Sequence, residues 1–267
     1  MPGVFIDEND VMIELRNLKK TFGKQEVLKD VSLDIRRGET MVIIGQSGGG
    51  KSVILKHMIG LLQPDGGEVK IDNHTISTPD YFDTKTIRQK MGMLFQNGAL
   101  FDSMNAGENI AFALREHNRK LKESEIQDIV TEKLKLIHLK PEFRVKMPNE
   151  MSGGMRKRLA LARALALSPQ VLLYDEPTTG LDPITSDVIN DLIIDMQQKL
   201  GVTSVVVTHD MTSAYKVADR IAMLFEGRII EVGTVEAIRN TKNPYVKQFI
   251  EGLRHLPIPG MDAEDDE

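Results

Sequence analysis

The run Gly45-Gln46-Ser47-Gly48-Gly49-Gly50-Lys51-Ser52 has the residue types and spacing of a phosphate cradle. Glycines let successive backbone N–H groups turn inward around an anion, and a helix that starts just after them points its positive end at the same spot. Lys51 is then expected to reach the β- and γ-phosphates of a nucleotide, and the Ser52 hydroxyl to coordinate Mg²⁺. The pattern has meaning only between a strand and a helix. Here residues 40–44 form a short apolar run and residues 52–62 carry apolar side chains at helical spacing. The competing reading is a glycine-rich turn that matches by coincidence, and the flanks weigh against it. Kinases, GTPases and motors all use such a cradle, so phosphate binding alone does not choose among them.

Three further positions supply chemistry of the matching kind. Residues 171–174 read as a buried strand that delivers Asp175 and Glu176 at its carboxyl end, where ligands bind in parallel α/β sheets. Successive strand residues point opposite ways, so Asp175 is expected to face a metal, usually through water, and Glu176 the attacking water as general base. Taken alone, the pair is equally well two solvated acids ending a strand. His209 comes after another apolar run, 204–207, and reaches the same sheet edge, where a γ-phosphate is its expected partner; a lone histidine there is more often structural. Gln96, after Met93-Leu94-Phe95, is a neutral side chain able to ligate Mg²⁺ or the water and to sense γ-phosphate.

These residues need a scaffold. The chain has 267 residues, 41% hydrophobic and 27% charged, which suits a large soluble core and excludes collagen, coiled coil and wholesale disorder. The longest apolar runs, 110–114 and 221–225, fall far short of the ~20 residues that span a bilayer. With no cysteine, disulfides and thiolate-bound zinc are excluded. The first residues show no basic stretch leading into an apolar segment, so a cytoplasmic chain is expected. Net charge is −5, part of it in Asp262, Glu264, Asp265, Asp266 and Glu267, and gives no basic excess pointing to nucleic acid.

Segments 11–15 and 31–35, separated by the turn-like Phe22-Gly23-Lys24, suggest an antiparallel β-layer. From Tyr81 to Met151 the pattern is charged and helical, as in 123–137, closed near Pro141. Runs 171–174, 204–207 and 221–225 then alternate with helical stretches, which predicts a parallel sheet covered on both faces. The stretch Pro257-Ile258-Pro259-Gly260 and the acids after it are expected to be loosely ordered.

Met151-Ser152-Gly153-Gly154-Met155 precedes the arginine-rich helical stretch 156–167 and lies shortly before the Asp-Glu strand. At this point the sequence resembles the ATP-binding subunits of ABC transporters, over about residues 11–250. The resemblance implies an α/β P-loop NTPase fold: a RecA-like parallel core, an N-terminal antiparallel β-layer and an inserted helical subdomain. It divides the chain into an extension at 1–10, an ATPase domain at 11–253 (core about 11–95 and 168–253, subdomain about 96–167) and an acidic tail at 254–267. It implies that Phe22 stacks on adenine, that residues 45–53 bind ATP, and that Gln96 is the Q-loop residue. Asp175 and Glu176 resemble Walker B with its catalytic glutamate, Gly180-Leu181-Asp182 the D-loop and His209 the H-switch. Ser152, Gly153 and Gly154 resemble the signature, a second anion site that uses exposed N–H groups and a helix dipole. In the family the two half-sites meet only between subunits, so a homodimer with ATP and Mg²⁺ sandwiched at its interface is implied.

Two departures stand out. Met151 and Met155 occupy positions where leucine and glutamine are usual, and Val53 replaces a hydroxyl residue, leaving a backbone N–H at the α-phosphate. Within the family, Gly50-Lys51-Ser52-Val53, residues 95–103 and Asp182-Pro183-Ile184-Thr185 look like the Mla/Mce branch, which powers lipid movement between bacterial membranes. That branch implies integral-membrane permease subunits, an Mce-type periplasmic lipid-binding subunit and a peripheral place on the cytoplasmic face of the inner membrane. Segment 96–110 exposes Leu100, Phe101 and Met104 as a groove for a permease helix, with Leu100 and Phe101 the expected contacts and Ile110 and Phe112 packed inward. The amphipathic stretch 244–250, with Tyr245, Phe249 and Leu253 on one face, is expected on the chain's own core. The alternatives are an importer or exporter of amino acids or other small solutes, a non-membrane ABC ATPase and a small-molecule kinase.

Overall fold

A computed structural model describes residues 6–7, 10–77 and 81–252, excluding the side chains of 81–84. Most of the expected N-terminal extension lies outside these residues, as do Leu253, the Pro257 to Gly260 stretch and the acidic tail. In chain order the elements are β1 (Val11–Phe22), β2 (Gln25–Arg36), β3 (Thr40–Ile44), α1 (Lys51–Met58), β4 (Gly66–Ile71), β5 (His74–Thr75), α2 (Tyr81–Gln89) and β6 (Met91–Leu94). Next come α3 (Ala106–His117), α4 (Glu123–Leu136), two short 3₁₀ turns, α5 (Gly153–Ala164), β7 (Val171–Asp175), α6 (Pro183–Leu200), β8 (Thr203–Thr208) and α7 (Met211–Val217). The last are β9 (Arg220–Phe225), β10 (Arg228–Thr234), α8 (Val235–Arg239) and α9 (Pro244–Glu251).

The described strands form a sheet in the order β5-β4-β1-β2-β10-β9-β3-β8-β7-β6. Strands β9, β3, β8, β7 and β6 are mutually parallel, as expected. Their sequences read as unbroken apolar runs because both faces are covered: Val42 and Ile44 of β3 enter one core with the helices α3 to α6, while Met41 and Ile43 enter another with α1 and the β-layer. The last strand departs from the parallel pattern. β10 pairs antiparallel with β9 across Glu226 (φ 46°) and Gly227 (φ 76°), both left-handed as a tight hairpin requires.

β1 and β2 form the expected antiparallel pair, but each extends well beyond the apolar segments 11–15 and 31–35, since the added residues are largely polar, with only Leu18 and Leu28 buried among them. The layer also includes β4 and β5, in which only Val69 and Ile71 are buried, so that they carry little hydrophobic signal. β6 lies inside the stretch read as helical from Tyr81. It is a fully buried sheet strand whose apolar side chains are methionine and leucine rather than β-branched. α1 is shorter than 52–62 suggests, ending at Met58 ahead of a turn at Gly60 (φ 69°). α9 docks on its own chain, with Val246 buried and the Tyr245 ring 5.0 Å from that of Phe225.

Parallel register aligns the carboxyl ends. Ile44 pairs with Thr208, Asp175 with Val207 and Leu94 with Tyr174. The glycine loop, the Asp-Glu pair, His209 and Gln96 therefore leave the sheet along one edge.

Candidate active site

Gly45 leaves β3 so close to β9 that a Cβ there would sit 2.4 Å from the carbonyl oxygen of Leu224. Gly50, at φ 101°, caps α1 in a left-handed conformation that suits glycine. No side chain caps the backbone N–H groups of the first turn of α1, and no acid lies in that turn. Elsewhere Asn105, Ser152, Asp182, Asp210, Thr234 and Asn243 each accept a hydrogen bond from the first turn of the helix they cap. An open N-terminus behind a glycine loop suits an anionic ligand.

Lys51 is buried, and its Nζ donates to the carbonyl oxygens of Gly45 at 2.8 Å and Gln46 at 2.9 Å. The same ammonium lies 3.7 Å from Glu176 Oε1. Burial pushes its pKa below the ordinary lysine value, with Glu176 and then Asp175 opposing the shift. Ser52 Oγ donates to Asp175 Oδ1 at 2.7 Å, joining α1 to the end of β7.

Glu176 is 8% exposed and has φ 47°, a left-handed backbone on a non-glycine residue. Its N–H donates to Val207 O at 3.0 Å, and its Oε2 accepts from Thr179 Oγ1 at 3.0 Å and lies 2.9 Å from His209 Nδ1. Phe22, Ser47, Gly48, Gly50, Lys51, Ser52, Val53, Gln96, Glu176 and His209 together line an open cleft of about 300 Å³. Phe22 is 45% exposed, with Lys20 Nζ 5.6 Å from its ring centre. Gln25 and Val27 of β2 also line this cleft. Neither is foreseeable from the sequence, because nothing in a strand's own residues says which loop it will face.

Ser152 and Gly154 are absent from that lining, and Gly153 opens instead on a second groove of about 260 Å³ with Asn97, Arg156, Lys157, Thr179 and Leu181, which meets the cleft at Gln96. Ser152 caps α5, its Oγ accepting from Met155 N at 3.3 Å. Asp182 caps α6 through Thr185 N at 3.0 Å, and the Thr185 hydroxyl holds its carboxyl below the usual range. Thr179 and Lys157 touch Glu176 and carry no sequence signal of doing so.

Three expectations about the exposed groove need correction: Leu100, against the helical core, and Met104 are half-buried rather than exposed, and Phe112 is 39% exposed rather than packed inward. Ile110 is fully buried. Two positions apart on a helix lie on nearly opposite faces, so Ile110 facing in turns Phe112 out. Phe101, 38% exposed, meets Phe112 at 4.8 Å between ring centres. Asn109 fixes this arrangement: its amide accepts from Phe101 N and donates to the carbonyls of Phe101, Met104 and Asn105.

Among the described residues no group of three or more histidine, cysteine, aspartate or glutamate side chains could hold a metal alone. Ser52, Asp175 and Gln96 instead offer a few hard oxygen donors beside the cradle, which suits Mg²⁺, an ion that keeps waters and takes phosphate oxygens. No described helix is long and apolar enough to cross a membrane.

Residues 28–179 match the ABC transporter family. The chain is 47% identical to the "Probable ribonucleotide transport ATP-binding protein mkl" of Mycobacterium leprae, covering 96% of this chain and 73% of that one. It is 38% identical to the "Intermembrane phospholipid transport system ATP-binding protein MlaF" of Escherichia coli K12, covering 93% and 91%. The solved dimer of the ATP-binding cassette MJ0796 bound to ADP and Pi superposes with a TM-score of 0.78 and 36% identity, over 84% of this chain and 99% of that one. With the cradle, the Asp-Glu strand end and the Ser-Gly-Gly helix cap all in place, the chain belongs to the ABC transporter family and is one of its ATP-binding, ATP-hydrolysing cassettes.

Proposed function

We propose that this chain is the energy-coupling ATPase of a lipid transporter, working as a homodimer on permease subunits at the cytoplasmic face of an inner membrane. The supporting observation is that the two half-sites face different clefts: the cradle, Glu176 and His209 line one, while Gly153 of the signature corner opens on another, with Gln96 at the edge of both. Two copies facing head to tail bring each corner to the other's cradle. ATP then acts as interface glue, and loss of the γ-phosphate contacts loosens the pair.

In this reading Phe22 stacks on adenine and residues 45–53 hold the phosphates. Glu176 takes a proton from water as its oxygen attacks the γ-phosphorus; the bond to ADP breaks and phosphate leaves. His209 orients the carboxylate from 2.9 Å, Gln96 senses the γ-phosphate, and Asp182 stands at the dimer seam. Ser52, with Asp175 through water and Gln96, would hold Mg²⁺, which supplies charge neutralisation at the phosphates. The chain divides into a RecA-like core of about 11–95 and 168–253 and a helical subdomain of about 96–167. Phe101, with Leu100 beside it in the chain, receives a permease helix. An Mce-type periplasmic subunit completes the assembly.

Lipid cargo is supported by the Escherichia coli relative, which is named for phospholipid transport and is matched over 91% of its length. A ribonucleotide cargo is the second reading, because the mycobacterial relative so named has the higher identity, 47%. The test is to purify the full chain from detergent-solubilised membranes, identify what accompanies it, and assay ATP-driven movement of phospholipid and of ribonucleotides in vesicles. A co-purifying permease and phospholipid movement are expected. Stoichiometric nucleic acid would mark a non-membrane ATPase instead, and a phosphorylated product rather than free phosphate a kinase. Equal turnover per subunit in monomer and dimer would overturn the composite site.

A further inference from the structure

Lys157 lies on α5, five residues past the Ser152 cap, and is 7% exposed. Its ammonium meets backbone oxygens at the ends of two neighbouring strands. Nζ donates to the carbonyl of Gln96, just beyond β6, and to that of Glu176, just beyond β7, at 3.3 Å. The Glu176 carbonyl also accepts from Thr179 N at 3.3 Å, and its N–H is held by Val207 O at 3.0 Å. The left-handed backbone of Glu176 (φ 47°) is thus pinned from three sides, and only the lysine comes from a helix outside the sheet edge. A buried ammonium answered by carbonyl oxygens is costly to keep, and burial does depress its pKa. An apolar side chain of the same length would fill the space without that cost.

From this geometry we propose that Lys157 is a positioning residue: it ties the seating of the signature helix α5 to the backbone of Gln96 and Glu176 in the same copy. Whatever moves α5 relative to β6 and β7 moves the ammonium off these two carbonyls, and the base loses its aim. The helix that reads the nucleotide held by a second copy thereby reports to the carboxylate that acts on its own. This rests on the reading of Glu176 as general base.

The test uses the full chain with Lys157→Met, which keeps the stem and removes the donors, and Lys157→Arg, which keeps a cation and its N–H groups. For Lys157→Met, kcat is expected to fall about 10- to 100-fold, the range that misaligned groups cost, with the ATP dissociation constant within about twofold. Lys157→Arg is expected to recover a large part of the loss. In a Glu176→Gln background, single-turnover hydrolysis should be indifferent to Lys157→Met, because there is no base left to aim. A loss in kcat that adds fully to that of Glu176→Gln, or a fall confined to ATP affinity and melting temperature, overturns the positioning role. Unchanged kcat in Lys157→Met does the same. If Glu176→Gln alone leaves hydrolysis intact, the base assignment has failed instead.

Discussion

A methyl group placed on Gly154 would lie 2.2 Å from Cγ2 of Thr185. The signature corner and the first turn of α6 are therefore fitted to each other without room for one carbon, and the Asp182 cap that opens α6 is set by the same threonine. Gly154→Ala is expected to lower stability by about 1–3 kcal/mol, as overpacking does, and to depress hydrolysis while isolated monomers still bind ATP. Adding Thr185→Ser removes Cγ2 but keeps the hydroxyl that bonds Asp182, and should restore both. Thermal melts and turnover of the single and double variants check this; no rescue by Thr185→Ser would refute the steric account.

Glu176→Gln should slow hydrolysis roughly 10²–10⁴-fold. The neutral amide still offers an oxygen to Thr179 Oγ1, now 3.0 Å from Oε2, so nucleotide binding should persist and an ATP-held dimer accumulate. Steady-state turnover with size-exclusion chromatography in ATP measures both, and wild-type turnover would remove Glu176 from the role of base.

Lys51 carries a pH signature. Its folded pKa lies below the ordinary 10.5, so between the two values the unfolded chain binds more protons and stability of the nucleotide-free protein rises with pH. Below the folded pKa the buried cation opposes folding in full. Lys51→Met should therefore melt higher than the wild type at neutral pH, by a margin that shrinks as pH climbs toward 10.5. Anionic phosphates favour the cation, so ATP affinity of the wild type should fall over the same alkaline range. A melting difference that stays constant with pH would contradict the buried-cation origin.

Phe101→Asp should leave the ATPase of the isolated chain within about twofold and abolish co-purification of the permease. The ring is exposed and meets Phe112 4.8 Å away, and a carboxylate there disfavours an apolar helix. Quantitative pull-down from membranes reads the outcome; undiminished recovery of the permease would place the contact elsewhere.

The residues proposed to bind phosphate and to carry the hydrolytic chemistry are legible because their signals are local. Glycine spacing before Lys51, an apolar run ending in Asp175-Glu176 and another ending at His209 each describe a strand and the loop after it, and parallel pairing then brings such ends together. Other features depend on contacts far apart in sequence. The outward turn of Phe112, the antiparallel return of β10, the left-handed backbone of Glu176 and its tie to Lys157 belong to this group. Local pattern sets which side chains a segment carries and its period, whereas the partner of a backbone carbonyl or the gap beside Gly154 exists only once separate segments pack. Composition and spacing thus determined the chemistry this chain can perform, and the tertiary structure decided how it is aimed, because aim is a distance between groups that the chain itself does not join.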